Sequence, residues 1–497
     1  MLPLLVTLVL IAGCDLGPDY KDPATEIPAE WRATDATARA AWPSLQWWRG
    51  FGSPTLDALI AEAETRNFDI AAAVARVREA DAAARIAGAP LLPTVSGQGS
   101  ASWAQVSTSG RSSFASSSGV GRNRYTDIRQ YGALGNASYE ADFWGLNRAA
   151  FRAAEASAVA SRFDQQVVAL SVVTSVANAW FNALAFEDRL AVAQNNLRDS
   201  EQTLRVIQTR LQVGTASALD VAQQQALVEG VRASIPNLRN EAEQEIISLG
   251  ILIGRPPQAV DVPRGTLTRL KLPPVYPGLP SALLGRRPDV AEAEAQLVSA
   301  NANIKAARAA FFPTIALTGQ GGFQSLALTT LFGPGATIGS LAASLTQPIF
   351  DGGRLRGQLE QSRARYDELV ADYRKAVIQS FTDVENALAA YRFTTEQQAL
   401  QQRAVDTAQR AADIARAQVA AGTVDITTVL QAQLTLYNDQ DLLVQVRLAR
   451  FIALLNLFKA LGGGWERPGG AVIDQFPGLS PGLLSGGLAL PVGDNLK

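Results

Sequence analysis

The chain has 497 residues, 47% of them apolar, with 44 basic and 46 acidic side chains for a formal net charge of -2. That is ample apolar mass for large buried surfaces, and it leaves no basic stripe that could track phosphates, so nucleic acid is not expected as a partner. With no histidine and one cysteine, the commonest general base, the commonest metal-ligating ring and any intrachain disulfide or thiolate cluster are absent, and neither an enzyme nor a resident metal or cofactor is expected.

The single cysteine is Cys14. It follows an apolar run from Leu2 to Ile11 and the small pair Ala12-Gly13, which together read as a short exported leader over residues 1–13, too short to span a bilayer. Leu10-Ile11-Ala12-Gly13-Cys14 looks like a bacterial lipobox, in which the leader is cut before Cys14 and the cysteine is acylated; a buried structural cysteine is the alternative. No Lys or Arg precedes the apolar stretch, which leaves the true start open.

Downstream the chain repeats itself. Asp69-Ile70-Ala71 through Leu91-Leu92-Pro93-Thr94 parallels Asp289-Val290-Ala291 through Phe311-Phe312-Pro313-Thr314 at a spacing of 220, and Val213-Gly214-Thr215 parallels Ala421-Gly422-Thr423 at 208. The first half is therefore longer by 12 residues between its proline and its glycine, a surplus expected in the Ser, Gly and Arg-rich loop from Ser107 to Asp127. Each half reads as a helix, two strands, a very long helix, a glycine turn and a returning helix.

The strand readings rest on period-two alternation. Tyr131, Ala133, Gly135, Ala137, Tyr139, Ala141 and Phe143 share one face against Asn136, Ser138, Glu140 and Asp142. Val95 to Trp103, Ile315 to Phe323 and Leu341 to Ile349 alternate in the same way. An apolar outside, a polar inside and an aromatic at one end match transmembrane barrel strands, with a half-buried soluble sheet as the alternative. Four strands cannot close a barrel, and an open edge in lipid leaves backbone groups unpaired, so closure demands several chains, most simply three. Neither 146–213 nor 358–421 contains proline or glycine, so each can run as one helix of roughly 100 Å at about 1.5 Å per residue. A soluble coiled coil would carry the same helical pattern.

The motifs form an ordered set: Gly17-Pro18-Asp19-Tyr20, Trp47-Trp48 with Phe51, Phe143-Trp144-Gly145, Arg286-Arg287-Pro288-Asp289-Val290, Ala309-Ala310-Phe311-Phe312-Pro313, Gln347-Pro348-Ile349-Phe350-Asp351-Gly352-Gly353 and Lys459-Ala460-Leu461-Gly462-Gly463-Gly464-Trp465. On these the chain resembles the outer membrane factors of tripartite efflux pumps, OprM/NodT-like lipoproteins that are distantly TolC-like. The resemblance implies a mainly α fold with membrane β structure: a homotrimer whose twelve-stranded outer membrane barrel continues into a twelve-helix periplasmic tunnel. It implies a passive exit duct for drugs or other small toxic compounds, working with a periplasmic adaptor and an inner membrane RND-type pump. A type I secretion channel or a non-conducting structural envelope lipoprotein remains an alternative.

The implied division is a leader (1–13), a lipidated segment leading into an equatorial region (14–65), a first repeat (66–275), a second repeat (276–465) and an irregular tail (466–497). The adaptor-meeting tips carry over to Arg210, Leu211, Gly214, Leu219, Asp220, Val221, Val419 and Gly422. The gate aspartates of TolC-like channels align with Thr428 and Gln431. Asp425, near the same turn, is the gate candidate, and a solvated turn aspartate is the competing reading.

Overall fold

The computed structural model describes residues 20–32, 42–107 and 125–468. Cys14, most of the first-hairpin loop and the tail beyond Pro468 lie outside them. The described residues form two compact units, each drawing on both sequence repeats: one holds 79–158 and 296–370 with residues 20–22, the other 23–78, 159–295 and 371–468.

In chain order the elements are α1 (Pro54–Arg66), α2 (Phe68–Gly88), β1 (Thr94–Ser107), β2 (Tyr125–Glu140), α3 (Leu146–Gln212) and α4 (Ala218–Leu252), then the short α5 (Pro280–Leu283), α6 (Pro288–Ala309), β3 (Thr314–Ser325), β4 (Thr337–Thr346), α7 (Arg354–Ala420) and α8 (Ile426–Ala460). The repeat is strict in its long helices and in those that return from them: α3 and α7 have 67 residues each, α4 and α8 have 35 each. The surplus of the first half therefore sits wholly between Pro93 and Gly145. Loop length supplies only part of it, because β1 and β2 have 14 and 16 residues against 12 and 10 in β3 and β4. β2 also ends at Glu140, short of the expected Phe143, because Asp142 turns to cap α3, accepting from the backbone N–H of Asn147 (3.2 Å) and Arg148 (2.8 Å).

In the first unit the strands form one antiparallel sheet in the order β1-β2-β3-β4, leaving β1 and β4 as its edges. The register places Gly97, Gly135, Gly321 and Gly339 in a single row across all four strands. At the helical end of the sheet Trp144 stacks on Phe312 at 4.9 Å and donates its indole N–H to the Pro313 carbonyl at 2.8 Å, tying the start of α3 to the end of α6.

In the second unit the core is aromatic. Phe51 and Phe181 are fully buried, 5.0 Å apart, and Phe451, Phe458 and Trp47 close around them. Burying each such ring is worth roughly 1.5–3 kcal/mol. One stretch of α3 is apolar enough to pass for a membrane span, yet more than half of it is covered by other parts of the chain, so its apolarity serves packing. Arg287 closes this unit near the C-terminal end of α8: its guanidinium donates to Asp289 (2.8 and 2.6 Å), Asp383 (3.0 Å) and the Ala460 carbonyl (3.0 Å). Burial pushes its pKa down, but the bonds and charges of the two aspartates raise it above the ordinary guanidinium value.

Candidate functional site: strand faces and helix tips

Directly opposed residues of an antiparallel sheet share a face, so the register sorts every side chain of the first unit. One face carries Val95, Trp103, Leu341 and Leu345, all exposed in the chain at 62% or more. The other carries Ser, Thr, Asn and Gln, with Ser96, Asn136, Gln320 and Ser340 in one transverse row. Among the described strand residues of this second face, Glu140 is the one charge. Apart from Asp127 and Arg129 on the first face and Ile128, Leu134 and Ile338 on the second, such a surface is apolar towards one medium and wet towards the other, and its wet face has little preference for the sign of a solute's charge.

The second unit holds the turns. At the first, the N–H of Thr215 bonds to the Arg210 carbonyl (2.8 Å) and the N–H of Gly214 to the Leu211 carbonyl (3.0 Å). At the second, Thr423 bonds to Gln418 and Gly422 to Val419, both at 3.0 Å. Both are Schellman closures, and both need a residue in the left-handed region, supplied by Gly214 (φ +74°) and Gly422 (φ +73°). The returning helices then start on matched caps. Ser217 forms a reciprocal capping box with Asp220 (3.2 and 2.7 Å), and Asp425, at the same repeat position, accepts from the N–H of Ile426.

The expected tip residues divide by exposure. Leu211 and Leu219 are exposed, as is Val213 beside them. Val419, by contrast, is 5% exposed and packs with Ile207, Ala415, Ile426 and Val429, with Val221 against the cluster. Val419 and Val221 hold the tip together from inside; the surface is offered by the leucines. Gly422 faces Arg210, whose guanidinium would stand 4.0 Å from a Cβ there.

Asp425 is exposed and caps α8. The two roles open to it separate by substitution. Asp425→Ser retains a cap of the kind Ser217 already provides, whereas Asp425→Ala removes it at about 1 kcal/mol. If its charge gates the passage, both variants should raise single-channel conductance alike; if it only caps, the serine variant should match the wild type.

A buried polar belt above the tips escaped the sequence reading. Gln224 and Gln433 are fully buried; Gln224 donates to the Ser200 carbonyl (3.0 Å) and lies 3.4 Å from Gln433, which donates to the Thr203 hydroxyl (2.9 Å). The belt thereby links α3, α4 and α8, and Arg416 of α7 reaches Asp199 at 3.5 Å. Beside it, burial and then the Asp199 charge push the Tyr437 hydroxyl pKa up, against a smaller opposing effect of Arg416. The only sequence signal was that glutamines recur at interior positions of apolar-striped helices.

The model of the outer membrane efflux protein family matches residues 59–255 and 279–463. The chain belongs to the outer membrane efflux protein family. It is 40% identical over 466 residues to the pyoverdine export outer membrane protein OpmQ of Pseudomonas aeruginosa, covering 94% of this chain and 97% of that one. It is 31% identical over 470 residues to the cation efflux system protein CusC of Escherichia coli, covering 93% and 99%. Among solved structures, the outer-membrane channel OprN superposes with a TM-score of 0.83 at 26% identity, covering 91% of this chain and all of that one. The efflux protein is thus an outer membrane channel component of the tripartite type, with the family's mixture of long helices and strands, as its motifs implied.

Proposed function

We propose that three copies of the efflux protein close a twelve-stranded barrel, continue it as a twelve-helix tunnel, and release siderophore-like hydrophilic compounds of the pyoverdine class. The trimer is supported by the two unpaired sheet edges, β1 and β4, which in lipid would leave backbone groups unsatisfied at several kcal/mol each. Pairing β4 of one copy with β1 of the next removes every edge.

The substrate class rests on one observation, the 40% identity to OpmQ against 31% to CusC over nearly equal lengths. Side-chain chemistry agrees. Beyond Cys14 the chain has no cysteine, methionine or histidine, so it has no soft or imidazole donor with which to relay a transition metal ion. Its hydroxyl and amide strand face suits a bulky solute rich in hydrogen-bonding groups.

The remaining partners follow from the family reading: outer membrane lipid, joined through an acylated Cys14, a periplasmic adaptor meeting Leu211 and Leu219, and an inner membrane pump, RND-type in that reading. A single acyl chain binds a membrane only marginally, so with a barrel in place Cys14→Ser should slow maturation and spare the trimer.

The test is deletion of the protein from its own bacterium. Siderophore should build up in the periplasm and fall in the medium; unchanged siderophore release alongside lost drug tolerance would sink the substrate assignment. Leu219→Asp should restore neither release nor adaptor co-purification while leaving conductance in planar bilayers intact.

A further inference from the structure

From the loop joining β3 to β4 we infer a second membrane contact: residues 326–336 lie on the outer face of the barrel and sit in the interfacial layer of the surrounding lipid. The inference rests on the barrel reading above and extends it to a segment outside the strands.

The loop contains no charged residue. Its apolar side chains are nonetheless turned out: Leu326, Leu328 and Phe332 are exposed at 72%, 64% and 73%, while Leu331 is buried beneath them at 6%. A loop in water has no reason to reverse that order. Its position is fixed by Phe332, whose ring meets Phe323 edge-on at 5.3 Å. Phe323 pairs with Ala133 and Thr337, and alternation places it on the face of Leu317 and Leu341. The loop therefore lies against the apolar face and extends it, and does not turn over the polar one.

Its backbone is suited to a poorly hydrated layer, where an unpaired peptide group is expensive. The N–H groups of Thr330, Leu331, Gly333 and Ala336 bond to carbonyls within the loop, and the Ala336 carbonyl accepts from Gln324 (2.8 Å). The Ser325 and Thr330 hydroxyls bond to each other at 2.6 Å, and Ser325 also accepts from the N–H of Ala327. An aromatic and two leucines on a self-bonded scaffold are what the boundary between headgroups and acyl chains favours.

The experiment uses the full-length trimer in phosphatidylcholine vesicles, with single cysteines at Leu328 or Phe332 carrying an environment-sensitive fluorophore. Matched probes at Leu341 and Ser340 report the apolar and polar strand faces. Lipids brominated near the top of the acyl chain should cut emission at 328 and 332 as strongly as at 341, and aqueous iodide should leave all three unquenched while quenching 340. Iodide quenching at 328 and 332 with 341 still lipid-quenched would overturn the loop assignment alone. Shielding from both quenchers would place the loop between copies and overturn it equally. Loss of lipid quenching at 341 would instead bring down the barrel reading.

Discussion

Gly462→Ala is expected to leave little folded channel in the outer membrane, whereas Gly214→Ala should cost only about 1–2 kcal/mol, the penalty for a side chain in the left-handed region. The two glycines have nearly the same backbone, with φ of +81° and +74°. They differ in what surrounds them. Around Gly214 nothing stands within 4 Å of where a Cβ would go, but at Gly462 that atom would collide with the backbone carbonyl of Arg286. A carbonyl cannot rotate aside as a side chain can, so the segment after α8 would have to leave its seat. Membrane-fraction yield and thermal midpoint of the two purified variants decide the matter; equal behaviour would refute the steric argument.

Arg287→Ala acts at the same locus and should lower stability by roughly 2–3 kcal/mol. Removing one partner of a fully buried ion pair costs about 3–5 kcal/mol. Here the side chains of Asp289 and Asp383 remain 35% and 36% exposed and can recruit water, so the lower figure applies. Arg287→Lys should recover a minor part, because an ammonium cannot hold the two oxygens of Asp289, Asp383 and the Ala460 carbonyl at once. The thermal midpoints should fall in the order wild type, lysine, alanine, and a lysine variant equal to the wild type would show that charge alone suffices.

Much of the architecture was legible because it obeys periodicity. Stretches free of glycine and proline became the two long helices, and the glycines that end them sit in the turns as the repeat required. Alternation assigned the faces correctly wherever the strands run, because a slip of one residue would turn every side chain over, but it carried β4 on to Ile349 whereas the strand ends at Thr346. The sequence misled where side chains act through geometry. Asp142 stopped β2 early by capping a helix. The surplus of the first repeat entered strands as well as a loop, since polar Thr126 and Asp127 extend a ladder as readily as they end one. Val419 looked like a tip contact and is a core residue, while the buried Gln224 and Gln433 were not singled out at all. In a helix with neighbours on several sides, a 3.6-residue period does not say which flank meets water.

The row of Gly97, Gly135, Gly321 and Gly339 gives the sheet a crease. A sheet resists folding across its strands largely through packing between opposed side chains, and along this line there are none, while each glycine also has the widest backbone freedom of any residue. The wall should yield first at that height. The rim beyond it can then change its cross-section, passing a bulky molecule or answering a thinner bilayer, while the part anchored to the helices keeps its shape.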